Sequence, residues 1–369
     1  MDSVWFDLAP ASPDAPDLHP PAAPARAEVV VVGLGASGLE ACRHLAGRGV
    51  DVMGLDARGV AAGAAGANGG FLLAGMARFH HDAVAAWGRE VAARWYARTL
   101  DELDRVFDEE PTARRVGSLR LADDDAELDD IRRHAVALAA DGIEVEDVHD
   151  VGGRGILVPS DGVVHPVARC RRLAVEALGA GARLHAPAPV VAVEPGRVEL
   201  SGGMTVSAAH VLVAVDGGLE FLVPGVCRTA RLQMLATAPC PVARTRPEYR
   251  RHGYDYLQQL PTGEVLLGGG RDVGGDDEWL PPGGVAEPGS AVQRHLDEVL
   301  GRLDVDATVT HRWAAAAAFT EDRLPVMRTV RPGVHAIGAY SGHGNVLGTL
   351  LARTAADQIL TAGSVTPPG

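Results

Sequence analysis

Gly33, Gly35 and Gly38 stand in the run Gly33-Leu34-Gly35-Ala36-Ser37-Gly38, directly after the apolar stretch Glu28-Val29-Val30-Val31-Val32. Gly33 permits a tight turn off a strand, Gly35 lets backbone N–H groups approach a pyrophosphate, and Gly38 lets a helix pack closely on that strand. Ala36 and Ser37 then begin a helix whose positive end faces the phosphates. Asp56, at the start of the Asp56-Ala57-Arg58 turn, lies twenty-three positions after Gly33. That spacing suits an acid that accepts from ribose hydroxyls and repels a 2′-phosphate.

Other candidates are scattered. His165 sits in Asp161-Gly162-Val163-Val164-His165-Pro166, and His343 in Tyr340-Ser341-Gly342-His343-Gly344-Asn345; histidine is the side chain that exchanges protons near neutral pH. Tyr254, Tyr256 and Gln258 alternate, so one strand face could line a small-molecule pocket. Arg231 and Arg271 are candidate carboxylate clamps. His80-His81 precedes Asp82, but adjacent side chains diverge and further ligands are lacking, so no metal is expected and the pair reads as surface or interface.

The composition narrows the classes. All 34 basic residues are arginine, with no lysine anywhere in 369 residues, which removes Schiff-base and pyridoxal-phosphate chemistry, a Walker A loop and a kinase site. A net charge of −14 disfavours nucleic acid and anionic membranes and favours a small-molecule or cationic partner. Cys42, Cys170, Cys227 and Cys240 show neither close pairing nor metal-ligand spacing, which reads as a reduced, cytoplasmic protein with buried thiols. No apolar run reaches membrane-helix length. An oligomer is compatible with all of this.

These residues need elements to hold them. Val29–Val32 predicts a strand buried on both faces, and Leu39, Cys42 and Leu45 a helix stopped by Gly47 and Gly49. A second strand runs from Val50 to Leu55. A long amphipathic helix is expected over 82–107, with Val84, Trp87, Val91, Trp95, Leu100, Leu103 and Val106 on one stripe. Helices are also expected at 125–140, 167–178, 291–302 and 346–361. Strands fall at 117–121, 182–185, 189–193, 197–200, 210–214 and 334–337, with longer antiparallel ones at 228–237 and 254–270 and a surface loop at 272–289.

The same cradle serves NAD and FAD, and here the sequence resembles the D-amino-acid oxidase superfamily of flavoproteins. Ala61-Ala62-Gly63-Ala64-Ala65-Gly66-Ala67-Asn68-Gly69-Gly70-Phe71 looks like the small-residue turn that passes along the flavin in that family. In order follow Asp161 to Pro166, Val211-Leu212-Val213-Ala214-Val215-Asp216-Gly217-Gly218, Leu266 to Gly270, Thr320-Glu321-Asp322-Arg323-Leu324-Pro325-Val326, and Tyr340 to Asn345. The last loop is most similar to the branch of gamma-glutamylputrescine oxidases and glycine/sarcosine oxidase-like enzymes.

The resemblance implies an α/β fold in which a Rossmann-like FAD-binding domain (27–95, 157–222 and 309–363) is interleaved with an antiparallel-sheet substrate domain (96–156 and 223–308). Residues 1–26, rich in Pro and Ala, would be a flexible lead-in and 364–369 a tail. It implies cofactor contacts from Gly33, Gly35, Ala36, Ser37, Gly38, Asp56, Ala57, Ala67, Asn68, Gly69, Gly70, Val191, Gly217, Gly342, His343, Gly344, Asn345 and Val346. A Gly-x-Gly turn opening the final helix would aim its positive end at charge on a reduced flavin.

Sarcosine oxidases bind flavin covalently through a Cys just before the Thr-x-Asp segment, and some relatives carry a carboxylate-binding Arg there. Here that stretch is Arg312-Trp313 followed by Ala314 to Ala318, which implies non-covalent FAD. The expected activity is oxidation of an amine or amino acid by hydride transfer from Cα–H to flavin, giving an imine that hydrolyses, with oxygen or another acceptor closing the cycle. His343, Arg231, Tyr256 and His165 are the candidate catalytic residues. Family oxidases that use a Lys to draw in oxygen have no counterpart here, so that charge falls to a protonated His343 or to Arg231. The alternatives are a flavin monooxygenase, whose Gly-Asp pair is replaced by Ile337-Gly338-Ala339-Tyr340, an NAD dehydrogenase, and a flavin-binding subunit of a multi-subunit amine dehydrogenase.

Overall fold

The strand Ala25–Val32 lies at the centre of a sheet ordered 326–331, 334–338, 205–213, 25–32, 52–55, 183–185. Its neighbours on both sides are parallel, as a β-branched run covered on both faces favours. Val29 and Val31 point into one core with Leu39, Cys42 and Leu45 of helix Ala36–Ala46 and with Leu347 and Leu351 of helix Gly344–Ala362. Val30 and Val32 point into the other, against Val193 and Val198 of an antiparallel ribbon and Leu219. One strand thus places the glycine turn at its end between two helices.

The computed structural model describes residues 3–9, 16–22, 25–150 and 152–362. The expected tail 364–369 and part of the lead-in lie outside these. A second, almost wholly antiparallel sheet runs Val309–Phe319, Arg228–Thr237, Val265–Gly269, Asp255–Gln259, Glu248–Arg250, Ser118–Ala122, Gly153–Val158, Glu146–Asp150. Leu235, Leu257, Val265 and Leu267 pack on helix Ser290–Arg302. The opposite side chains Met234, Ala236, Leu266 and Trp313 join the core of the first sheet, so this face of the second sheet is turned toward the glycine-turn side. No helix among the described residues is long and apolar enough to cross a membrane.

Several elements differ from expectation, each for a local reason. The helix expected at 82–107 is two, His80–Trp87 and Arg89–Glu109, broken at Gly88, whose φ of 83° is left-handed. Its buried stripe is Ala92, Tyr96, Thr99, Leu103 and Val106, while Trp87 and Trp95 are only half-buried. Residues 254–270 fold as a hairpin, Asp255–Gln259 and Val265–Gly269, because Thr262-Gly263 makes the turn. Inside 272–289, Glu278 is buried. Val309–Phe319, assigned with the cofactor segments, pairs along its length with Arg228–Thr237 in the second sheet. The lead-in contains a short helix, Val4–Leu8, whose Trp5 is 2% exposed; one large aromatic side chain outweighs the Pro/Ala composition around it.

Candidate active site

The glycine turn is built as its spacing requires. Gly33 has φ 107°, and a Cβ there would lie 2.7 Å from the Ala214 carbonyl oxygen; one on Gly38 would lie 1.9 Å from the Gly33 oxygen. Gly35 caps helix Ala36–Ala46 without any side-chain hydrogen bond, so no capping side chain competes with an anion for the first amides of the helix. Asp56 accepts from Leu34 N–H at 2.9 Å and from Arg58 and Gly59 N–H at 2.8 and 2.9 Å. Oδ1 takes the Arg58 and Gly59 bonds, and Oδ2, with only the Leu34 bond, retains capacity for a further donor such as a ribose hydroxyl. Ala57 beside it is exposed. Ala188 N–H donates to the Asp56 carbonyl at 2.7 Å, and Val191, three residues on, is 41% exposed beside that end of the cradle.

The small-residue loop is held by its carbonyls. Trp313 Nε1 donates to Ala67 O at 2.8 Å, Trp5 Nε1 to Asn68 O at 2.7 Å and Gln258 Nε2 to Gly69 O. Asn68 Oδ1 accepts from Gly70 N–H at 2.8 Å and from Asn345 Nδ2 at 3.0 Å, and Asn345 Nδ2 also reaches Phe71 O at 2.9 Å. Two asparagines 277 residues apart thus tie the loop to the start of the terminal helix. Gly70 has φ 73°, and Val346 packs beneath against Leu72 and Val164.

A third strand end completes the arrangement. Asp216 accepts from Tyr340 N–H at 3.1 Å and Ala318 N–H at 3.3 Å, and a Cβ on Gly217 would lie 2.2 Å from Ala316 O. Burial pushes the Asp216 carboxyl up to about 6. Ala339, Ser341 and Gly342 have φ 54°, 52° and 90°, and this left-handed run delivers Gly342, His343 and Gly344 to the N-terminus of the 19-residue helix Gly344–Ala362. Ser341 Oγ and His343 Nδ1 are buried without a hydrogen-bond partner among the described residues. Such atoms suit a site that receives a polar group.

A family model for DAO, FAD dependent oxidoreductase, matches residues 28–358. The chain belongs to the DAO family of FAD-dependent oxidoreductases. The DAO-family chain is 26% identical over 352 residues to a probable oxidoreductase, OrdL, of Rhizobium meliloti (strain 1021), with 87% of this chain and 80% of the relative covered. Its fold is that of L-proline dehydrogenase from P. horikoshii (TM-score 0.74, 18% identity, 93% of this chain and 96% of that one). Glycine oxidase from Geobacillus kaustophilus is similar too (TM-score 0.72, 20% identity, 92% and 96%). FAD is therefore the cofactor, and the DAO-family residues here fit it: two helix N-termini, an acid at the cradle's end, glycines where a Cβ would fill the space, and orphaned polar atoms at Ser341 and His343.

Three sequence assignments need correction. Arg231 is committed to Glu278, with Nε donating at 3.0 Å and Nη2 at 2.6 Å, so it is neither a free clamp nor a free charge. His165 caps helix Pro166–Gly179, its Nδ1 accepting from Ala168 N–H at 3.2 Å, and its ring lies 4.8 Å from that of Trp5; both are structural duties. Burial, then the charges of Arg120 and Arg323, push His343 down to about 4, so its ring is neutral at pH 7 rather than protonated. Tyr256 and Gln258 do lie together over Gly69 and Gly70, whereas Tyr254 lies outside the strand, near Arg271. Burial raises the Tyr256 phenol above its ordinary value.

His80 is buried and bonds Asp141 at 2.7 Å, while His81 turns to Asp130 at 3.1 Å; His80 is thus not a surface residue, and no metal-binding group is found among the described residues. The four cysteines are unpaired. Sequence reasoning missed Trp5, which the short apolar cluster Val4-Trp5-Phe6 ahead of the Pro-rich stretch could have signalled, and Arg169, which is buried and donates to Asn345 O at 2.6 Å. It also missed the pairing of Asn68 with Asn345, for which no local signal exists.

Proposed function

We propose that this protein oxidises an amine or amino acid at the carbon bearing the nitrogen, giving an imine that water hydrolyses. The observation that carries the reading is the tethered pair of cofactor loops: Asn68 and Asn345 join the Gly66–Gly70 turn to the terminal helix, and the second sheet covers that turn with Tyr256 and Gln258. The Gly33–Gly38 turn, Asp56, the Gly66–Gly70 turn and the Gly342–Gly344 turn would hold FAD non-covalently, and FAD would supply the hydride acceptor.

The chain's own contribution is positioning and proton control. The Tyr256 phenol, kept protonated by burial, can donate a hydrogen bond but cannot serve as a base at neutral pH. Hydride loss requires the neutral amine. Burial, with the charge of Arg120 after it, pushes His343 down and acts in the same sense on an amine held beside that ring, disfavouring the ammonium form. Neither lysine nor a charged His343 is present to attract oxygen, so the second half-reaction relies on an arginine or on an acceptor other than oxygen. The test is to purify the protein, measure flavin absorbance before and after adding FAD, and compare NADPH consumption with and without amines. Bound flavin with no NADPH use supports the reading; amine-independent NADPH consumption overturns it in favour of a monooxygenase.

A further inference from the structure

Most part-buried arginines here meet a carboxylate. Arg271 and Arg323 do not. Their guanidinium carbons lie 5.0 and 5.2 Å from the centroid of the same Phe319 ring, and Arg271 is also 5.4 Å from Trp279 and 5.7 Å from Tyr254. Neither makes an ion pair among the described residues, although the chain carries a net charge of −14. The acids beside them in sequence are turned elsewhere: Asp272 pairs with Arg251, and Asp322 Oδ1 accepts from Leu324 N–H at 2.9 Å. Arg323 holds a left-handed φ of 65°, a conformation that costs free energy for a residue with a Cβ and recurs at functional positions.

The pair adjoins the cofactor loops. Phe319 follows Ala318, whose carbonyl accepts from Ser341 N–H at 3.1 Å and whose amide meets Asp216. Two arginines that the sequence singles out are occupied: Arg231 by Glu278, and Arg312 by Asp297 at 2.7 Å and Gln293 at 2.9 Å. Burial, then the neighbouring charge of Arg271, lowers the Arg323 pKa, as desolvation of a cation beside a like charge does. Both guanidinium groups lie over the Phe319 ring, and Trp279 and Tyr254 flank Arg271 as well.

We propose that Arg271 and Arg323 form a recognition site for a dianion, and that the substrate is an amine bearing two carboxylates, such as an amino dicarboxylic acid or an N-carboxyalkyl amino acid. The inference rests on the amine-oxidising reading and assigns its substrate class. Each guanidinium can take one carboxylate through paired N–H···O bonds, which a monocarboxylate or a simple alkylamine cannot satisfy.

The test titrates the FAD-loaded protein with glutarate, butyrate and butylamine, none of which carries the α-amino acid to be oxidised, and reads the perturbation of the flavin spectrum. Glutarate should bind about tenfold or more tightly than butyrate. Arg271→Met and Arg323→Met should each weaken glutarate about tenfold, while Arg228→Met, which removes an exposed cation 4.2 Å from the Trp279 ring, should change it less than about threefold. Thermal unfolding of each variant confirms that it is folded. Equal affinities for glutarate and butyrate, or an equal loss in all three variants, overturns the proposal. If glutarate binds as expected but no amine reduces the flavin, the oxidase reading fails instead; if amines reduce it and glutarate shows no preference, only the dianion site fails.

Discussion

Two regions of this molecule use the same side chain in opposite ways. Between helices Ala36–Ala46, Arg89–Glu109 and Gly344–Ala362, the fully buried carboxylates of Glu40 and Glu102 gather Arg43, Arg105 and Arg353. Glu40 lies 2.9 Å from Arg43, Glu102 lies 2.7 Å from Arg105, and Thr349 Oγ1 donates to Glu102 at 2.6 Å. Around Phe319 the arginines pair with no acid among the described residues. A buried carboxylate that meets several donors locks elements together, whereas a part-buried cation left unmatched in an acidic protein is free for a ligand. The first region fixes the two helix N-termini relative to each other; the second faces what they hold.

The largest effect should come from breaking the paired region. Glu102→Ala leaves Arg105 and Arg353 without their main partner and should cost about 3–5 kcal/mol of unfolding free energy in urea; a loss below about 1 kcal/mol would mean water replaces the carboxylate easily. Next is Asn68→Ala, which releases both Gly70 N–H and Asn345. FAD affinity should fall by one to two orders of magnitude, on the order of 2 kcal/mol, as measured by flavin fluorescence on dilution.

The pH dependence has a defined sign. His343 is held down to about 4 from an ordinary 6.5, so the unfolded chain binds the extra proton and the apoprotein loses stability as pH falls from 6.5 toward 4. His343→Asn should remove that part of the slope, and identical slopes in the two proteins would show that His343 is already protonated in the fold. Glu40 adds a loss further down the scale: burial raises its carboxyl, Arg105, Arg43 and Arg353 more than offset this, and its stabilisation fades below about 4.5.

The smallest effects separate positioning from charge. Trp5→Phe keeps the ring against His165 but loses the 2.7 Å bond to Asn68 O, and should weaken FAD about fivefold, near 1 kcal/mol. Arg323→Met should leave unfolding free energy within about 0.5 kcal/mol of the parent or raise it slightly, since it removes repulsion with Arg271. A clear destabilisation would place Arg323 with the paired arginines instead.

What could be read in advance was local. Gly33, Gly38 and Asp56 announce themselves because turn, close approach and ribose acid are fixed by spacing along one chain segment, and the strands on either side carry their own periodicity. Gly88 was an available signal for the helix break. The fate of Arg231 was not available, since Glu278 is 47 positions away inside a stretch that looked like loop. Nor could Trp5 be placed on Asn68, 63 positions on, by composition alone. Pairings between distant segments decide which cations are spent on structure and which remain, and that division defines the candidate site.

The most direct test of the central claim is anaerobic mixing of the FAD-loaded protein with a panel of amines, amino acids and amino dicarboxylates, following flavin absorbance and identifying the product carbonyl compound. The account predicts bleaching by at least one member, most rapid with a dicarboxylate, with one carbonyl product formed per flavin reduced. Flavin that stays oxidised against every amine while the protein remains folded and FAD-loaded would contradict it.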